Sequence, residues 1–306
     1  MSEMKKAPLV SVIVNCHNGE QYLKQALDSI YKQDYSNFEI IFWDNQSTDG
    51  SRKVTLEYDN RLKYHLASEH SGLGAARDSA IQEANGEYIC FLDVDDLFAE
   101  GRLREQVAFM QLNRLKFSYG SYVEIDKHGA SRKRHVVKQV IGNRLEEHLL
   151  RYTICMHTVM LRRELFELDW CFFDHNLLHS PDANLFYKIL AKYPVGSINN
   201  VLAFYRIHDK QMTKKMLSVI GREAKFNIDS LVALFPETII KYKSSIDWAY
   251  AKVHFYDAIA YVQQEDYRLA MLKIRLITNK SIYFKLLYIL IIFRVPSHLI
   301  LKVLSR

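Results

Sequence analysis

The sequence predicts an α/β fold, a mostly parallel sheet flanked by helices, with a helical appendage at its C-terminal end. Three observations carry this expectation. Four blocks rich in Val, Ile, Leu and Phe alternate with helix-like segments over about the first hundred residues, the pattern of a sheet wound with helices. The first, second and fourth blocks end abruptly in polar or acidic residues, where open α/β sheets place their ligands. From about Lys214 onward the apolar spacing is helical.

Taken in order, Leu9 to Val14 reads as a buried strand ending in Asn15-Cys16-His17-Asn18-Gly19. Tyr22, Leu23, Ala26, Leu27 and Ile30 then repeat at helical spacing,. Phe38 to Trp43 is a second strand, closed by Asp44-Asn45-Gln46-Ser47, and Ser47, Thr48 and Asp49 are N-cap residues for a helix around Arg52 to Tyr58,. Leu62 to Leu66 fits a third strand. Ser71-Gly72-Leu73-Gly74 opens a helix carrying Ala80, Ile81 and Ala84, with Gly86 expected as its C-terminal cap glycine,. The fourth strand, Tyr88 to Leu92, runs straight into Asp93-Val94-Asp95-Asp96. Three carboxylates within four residues repel one another unless a cation joins them, and hard oxygen donors suit Mg²⁺ or Mn²⁺. A metal and a phosphorylated ligand are the first expectation at that point.

The pattern loosens beyond Arg102. Leu103, Val107, Met110 and Leu112 mark a helix, Phe117 to Ile125 a strand, and Lys127-His128-Gly129 a turn. A helical stretch lies around Leu145 to Tyr152; Ser180-Pro181-Asp182 opens a helix with Leu185, Phe186, Ile189 and Leu190; Val195 to Tyr205 is strand-like. In the C-terminal part Trp248, Val253, Phe255, Ala258, Ile259 and Val262 are candidate core positions.

Composition excludes several classes. Hydrophobic residues make up 49% against 25% charged, with five prolines, so the chain buries a large core and is not disordered. Cys16, Cys90, Cys155 and Cys171 lack metal or disulfide spacing,. The opening Met1-Ser2-Glu3-Met4-Lys5-Lys6 is too polar for a signal peptide, which predicts a cytosolic chain,. The net charge of +6 is concentrated at one end: from Tyr267 to Arg306 there is no Asp or Glu, while Arg268, Lys273, Arg275, Lys280, Lys285, Arg294, Lys302 and Arg306 all fall there. Such a tail seeks a polyanion. The apolar run Leu286 to Phe293 between the charges favours an anionic membrane surface over nucleic acid. As one helix, Ile282 to Leu304 would reach about 34 Å, roughly a bilayer core. Pro296 and the cations Lys285, Arg294 and Lys302 argue against spanning,. The run is apolar on every face, so packing in a protein core stands as an equal alternative to membrane contact.

Together, Val10 to Gly19, Glu39 to Asp49, Gly74-Ala75-Ala76-Arg77-Asp78 and Phe91 to Asp96 resemble the family 2 glycosyltransferases. The four motifs cover about the first hundred residues, with a weaker match to about His208. The resemblance implies a GT-A fold and transfer of a sugar from a nucleotide-diphosphate donor, a UDP-sugar in the usual case, to an acceptor hydroxyl. It also implies Mn²⁺ or Mg²⁺ and inversion at the anomeric carbon. Residues 1–213 would form the glycosyltransferase domain, with a donor half over about 8–100 and an acceptor half over 101–213; residues 214–306 form the helical, basic and apolar region.

Residue by residue, Asp44 resembles the carboxylate that meets the donor's base, with Asn15 and His17 flanking that base. His17 stands where the family often has Tyr, and Asn45 replaces a frequent Asp. Arg77 would approach the phosphates or ribose. Asp95 resembles the principal metal ligand, and Asp93 the residue contacting ribose or the metal through water; Asp96 is left to cap the next turn. Asp182 matches the family's catalytic base, against its plain reading as an N-cap. Tyr205-Arg206-Ile207-His208 resembles the family's Y-R-x-H segment, whose His faces the metal or diphosphate. The implied acceptor is a cell-surface polysaccharide or lipid-linked glycan, reached from the cytosolic face of a membrane. Two rivals are weaker. Gly72-Leu73-Gly74 lacks the third glycine and the placement of a dinucleotide fingerprint, and a scaffold that lost its chemistry sits poorly with intact Asp44, Asp93, Asp95 and Asp182.

Overall fold

The computed structural model describes residues 7–208, 217–279, 281–295 and 299–300. The expected domain boundary near residue 213, together with Lys280, Pro296, His298, Lys302 and Arg306 of the C-terminal run, lies outside the described residues. The first hundred residues alternate as read: β1 (Val10–Cys16), α1 (Glu20–Tyr31), β2 (Phe38–Asp44), α2 (Ser51–Thr55), β3 (Leu62–Leu66), α3 (Leu73–Gln82) and β4 (Tyr88–Phe91). β1 pairs in parallel with β2 and β4, and β2 with β3. Cys16 lies opposite Asp44 and Asp44 opposite Leu66, so the carboxyl ends of these strands share one edge.

The next elements are β5 (Leu97–Phe98), α4 (Arg102–Leu112), β6 (Phe117–Asp126), β7 (Ser131–His135), β8 (Val140–Gly142), α5 (Leu145–Leu150), β9 (Met160–Arg162), α6 (Pro181–Lys192) and β10 (Val195–Ile207). The sheet runs β3-β2-β1-β4-β9-β6-β10-β5, with β7 on β6 and β8 on β10. β9 is antiparallel to both β4 and β6, and β10 is parallel to β6. β6 and β10 therefore point the same way as β4, and the carboxyl end of β10 joins the edge where the first four strands end. This is the mixed, mostly parallel sheet that the sequence predicts.

Burial follows the periodicity. Leu23, Ala26, Leu27 and Ile30 of α1 close one face of the sheet, with Leu103, Val107 and Met110 of α4 in the same core. Leu185, Phe186, Ile189 and Leu190 of α6 are buried as expected. Leu112 is not: it is 84% exposed, because it stands two residues past Met110, about 200° round the helix. Two local expectations are also corrected. α2 starts after Gly50 without a side-chain cap. Asp49 instead accepts from the Glu20 and Ser51 N–H groups, while Glu20 accepts from the Gly50 N–H, so the starts of α1 and α2 lock each other. Gly86 does not cap α3, which ends in Glu83. Its N–H donates to Ser11 Oγ at 2.8 Å, and a Cβ there would stand 2.5 Å from Ser11 N; close approach to β1 is what requires glycine.

By contacts the chain divides into two compact units, Met1–Arg144 with Thr153–Asp209, and Leu145–Tyr152 with Lys210–Arg306. The second unit is helical: α5 is joined by α7 (Leu217–Leu234), α8 (Glu237–Lys241), α9 (Lys243–Gln263), α10 (Tyr267–Arg275) and α11 (Ile282–Ile292). Lys252 Nζ donates to the Leu150 carbonyl at 3.1 Å, tying α9 to α5. Ala258, Val262, Ala270, Ile274 and Leu287 form its core, so part of the apolar C-terminal run packs inward. Among the described residues no helix is long and apolar enough to cross a membrane.

One buried carboxylate holds the first four strands together. Glu39 accepts from Ser11 Oγ at 2.6 Å, from the Asn85 N–H at 2.7 Å and from Lys63 Nζ at 2.5 Å. Burial pushes its carboxyl up, but these donors outweigh it and hold it below the ordinary glutamate value. Glu39→Ala strands the buried Ser11 hydroxyl and the part-buried Asn85 N–H and should cost about 2–3 kcal/mol in urea unfolding at neutral pH. Because the folded-state value is the lower one, the stabilisation is present above the unfolded value and is lost as pH falls through the folded one. The gap between the native chain and the variant should therefore narrow below about pH 4.

Candidate active site

The acidic turn takes its shape from β5, the short strand just beyond it. After β4 the chain bends back, with the Asp96 N–H donating to the Asp93 carbonyl at 3.1 Å. β5 then pairs antiparallel with β10, Leu97 opposite Phe204, which lays the turn against Arg206 and His208. The Arg206 N–H donates to Asp96 Oδ1 at 2.7 Å, and Arg206 Nε to the Asp95 carbonyl at 2.8 Å. The same guanidinium reaches Gln25 Oε1 at 2.8 Å and the Asp126 carbonyl at 3.3 Å. One fully buried arginine thus joins α1, the acidic turn, β6 and β10. His208 Nε2 lies 2.8 Å from Asp95 Oδ2.

A second histidine enters from a short 3₁₀ turn, Met156–Thr158. His157 Nε2 lies 2.7 Å from Asp96 Oδ2 and 3.7 Å from Asp93 Oδ2, and its ring stacks with Tyr205 at 5.8 Å. α4 fixes this turn with two buried polar side chains. Gln106 Nε2 donates to the Thr158 carbonyl at 2.8 Å and Arg102 Nη2 to the Val159 carbonyl at 2.9 Å. Burial disfavours charge on His157, but Asp96 and Asp93 outweigh it and lift the imidazolium to about 9. Asp96 goes up to about 6 through burial, against the pull of His157. At pH 7 the pair is therefore ionic. Asp93 is also contacted by Arg77 Nη2 at 3.3 Å. Burial opposes ionisation there too, yet His157 and Arg77 hold its carboxyl below the usual range.

The repulsion expected of three carboxylates is thus partly met by the protein's own cations. Asp93, Asp96 and His157 offer ligand atoms within 4.8 Å of one another, but Asp96 and His157 are buried and spend their contact on each other. The accessible donors are Asp93, with 36% side-chain exposure, Asp95 with 26% and His208 with 14%. Carboxylate oxygens with an imidazole fit Mn²⁺ or Mg²⁺ by donor type.

The other side of the edge comes from β1, β2 and α3. Asp44 is buried; its oxygens accept from the Ser47 N–H at 2.7 Å and Tyr64 Oη at 2.6 Å. Asn45 pairs with Ser71 in both directions, at 2.8 and 3.1 Å, and so pins the loop entering α3. The Asn45 carbonyl lies 3.0 Å from Nδ1 of both His17 and His70, whose rings sit 4.3 Å apart. In register across β1, β2 and β3, Asn15 Nδ2, Trp43 Nε1 and His65 Nε2 are buried with no hydrogen-bond partner among the described residues. Such a row calls for a ligand or water. Asp182 lies in the first turn of α6, after N-cap Ser180 and Pro181, so it stands inside the helix and is not its cap. The start of α3 lies close to this helix start: a Cβ at Gly74 would stand 3.5 Å from Pro181 Cβ, an ordinary contact, and 3.2 Å from the Asp174 carbonyl oxygen.

The Glycosyl transferase family 2 model matches residues 11–169, more than half the chain and across all these strand ends. The chain belongs to the family 2 glycosyltransferases. The UDP-Glc:alpha-D-GlcNAc-diphosphoundecaprenol beta-1,3-glucosyltransferase WfgD of Escherichia coli is 29% identical over 218 residues, 70% of this chain and 83% of that protein. An uncharacterized glycosyltransferase of Haemophilus influenzae is 31% identical over 208 residues, 60% and 80% of the two chains. One from Rickettsia felis is 33% identical over 200 residues, but only 33% of its own length is spanned. Among solved structures, S. aureus TarS 1-349 in complex with UDP-GlcNAc aligns with a TM-score of 0.60 at 18% identity, covering 94% of this chain and 90% of that one. Mannosyltransferase PcManGT from Pyrobaculum calidifontis, in complex with GDP-Man and Mn²⁺, gives 0.59 at 16% identity, covering 96% and 87%. At these identities the structures establish the GT-A fold.

Within this glycosyltransferase the fold gathers Asp93, Asp95 and His208 through the β5–β10 pairing, Arg77 beside Asp93, and His17 beside Asn45. Asp182 is carried on a helix that meets the start of α3. His157 and His70 escaped the sequence reading, since a lone histidine in a polar gap has no periodic or spacing signal. Asp96 does more than cap a turn: it is the carboxylate through which Arg206 and His157 hold the motif.

His157 makes a testable contribution to stability. Its folded-state value exceeds that of an unfolded histidine, so its stabilisation is present near pH 6.5, where Asp96 is still largely ionised, and disappears as pH rises through about 9,. Without added metal, the melting temperature of the native chain should fall over that window more than that of His157→Gln. Parallel curves for the two would contradict the ion pair.

Proposed function

We propose that the chain is an inverting, metal-dependent glycosyltransferase that moves a hexose from a nucleotide diphosphate, UDP in this reading, to an acceptor hydroxyl of a lipid-linked glycan or cell-surface polysaccharide. The observation that carries this is the shared edge: a family 2 chain brings Asp44, Arg77, Asp93, Asp95 and His208 to the carboxyl ends of parallel strands. In this reading Asp44, His17 and Asn15, whose Nδ2 has no partner among the described residues, receive the base, while Asn45 shapes the loop beside it. Arg77 sets the orientation of Asp93 toward the ribose. Asp95 and His208, with Asp93, hold Mn²⁺ or Mg²⁺, which when bound neutralises the departing diphosphate. Asp182 takes the acceptor proton as the bond to the nucleotide breaks, and direct displacement inverts the anomeric carbon.

The relative named for a GlcNAc-diphosphoundecaprenol acceptor supports the lipid-linked class. Work at the cytoplasmic face of a membrane follows from such an acceptor, with the basic, apolar C-terminal region as the part that meets anionic lipid.

Two substitutions test the assignments. Asp182→Asn should leave donor affinity nearly intact, measured by calorimetry, while transfer falls by about 10² to 10⁴; substantial transfer by that variant would remove Asp182 from the mechanism. Asp95→Ala should abolish Mn²⁺-dependent turnover of the donor. A thermal-shift screen of nucleotide sugars with and without Mn²⁺ identifies the donor, since a ligand that binds only the native state raises its melting temperature.

A further inference from the structure

α11 presents apolar side chains on the side turned away from its core. Phe284, Leu287 and Ile291 pack inward, yet Ile282 is 77% exposed, Ile289 47% and Phe293 76%. α10 repeats the arrangement on a second helix: Ala270 and Ile274 are buried, while Leu272 is 53% and Leu276 66% exposed. A helix that merely caps a domain shows water its polar face. Here the outward positions are shared between large aliphatic groups and cations. Arg268, Arg275, Lys285 and Arg294 are exposed and form no ion pair among the described residues, whereas Lys273 is engaged with Asp257 at 2.7 Å. No acid from Tyr267 onward offsets them.

We propose that the exposed faces of α10 and α11 form a docking surface for an anionic phospholipid bilayer. The aliphatic and aromatic side chains enter the interface, and the four cations meet lipid phosphates. The proposal deepens the membrane partner named above and needs none of the transfer chemistry. Charge selects the occupant: a second copy would bring the same cations to a two-fold contact and repel, and nucleic acid gives no return for burying Ile282 or Phe293. α11 has 11 residues, about 16 Å of helix and half a bilayer core, so it lies in the interface and does not cross. The alternatives of core packing and membrane contact are thereby assigned to opposite faces of one helix.

The test is co-sedimentation of the full chain with phosphatidylglycerol-containing vesicles and with pure phosphatidylcholine vesicles. The native chain should bind the anionic vesicles, weaken with salt, and bind neutral ones poorly. Arg275→Gln with Lys285→Gln should weaken binding by about 30-fold. Ile282→Asp with Ile289→Asp, both at exposed positions, should weaken it more than about tenfold without lowering the melting temperature. Binding that ignores both pairs of substitutions, or no binding at all, overturns the proposal. So does a dimer in solution that Ile282→Asp breaks while vesicles are not bound. Vesicle binding by a chain that turns over no nucleotide sugar would sink the transfer reading and leave the docking surface standing.

Discussion

The carboxyl edge of the sheet depends on how the acidic turn after β4 is braced. Asp93, Asp95 and Asp96 crowd one bend of backbone, and each is met by a different cation or donor: Arg77 on Asp93, His208 on Asp95, and His157 with the Arg206 N–H on Asp96. Without these contacts, mutual repulsion and desolvation would open the turn. With them, the innermost carboxylate becomes scaffolding and the two outer ones remain available to a ligand. That division of labour follows from burial, since Asp96 is 1% exposed and Asp93 and Asp95 are not enclosed to that degree.

The bracing reaches across the first unit. Arg206 contacts groups from α1, the acidic turn and the end of β6, and His157 is held by α4 through Gln106 and Arg102. Burial lowers Arg102 to about 10, still far above neutral pH, so it remains a cation whose guanidinium lies 3.7 Å from the Phe98 ring centroid. Residues of the acidic turn, from the first hundred positions, are thus set in place by residues from the next hundred and the end of β10. A change in α4 can disturb the motif without touching it.

Strand order and helix faces were legible in the sequence because they rest on local period. Val10 to Val14 and Phe38 to Phe42 are apolar runs broken only by Ser11 and Glu39, as strands covered on both faces read, and the stripe Leu23, Ala26, Leu27, Ile30 can bury itself only as a helix. Asp44, Asp93 and Asp95 were legible as motif residues because each closes or follows a recognisable strand, and Arg77 because it belongs to the Gly74-Ala75-Ala76-Arg77-Asp78 motif inside α3. His157, His70 and the bracket role of Asp96 were not, since their partners lie tens of residues away. Gly86 misled for the same reason: a glycine past a helix end suggests a cap, and only the approach of Ser11 shows why it is there.

The sequence by itself determined a mostly parallel α/β sheet, its polar carboxyl edge, and a C-terminal stretch from Tyr267 onward whose charges are all of one sign. These are properties of neighbours along the chain, written in periods of two and 3.6 and in composition. Tertiary structure alone decided which carboxylate of the acidic turn is buried and which are open, that α5 joins the C-terminal helices, and which side of α11 faces its core. Those choices depend on burial and on pairing across long sequence separations, and an isotropically apolar helix or a run of aspartates carries no local record of them.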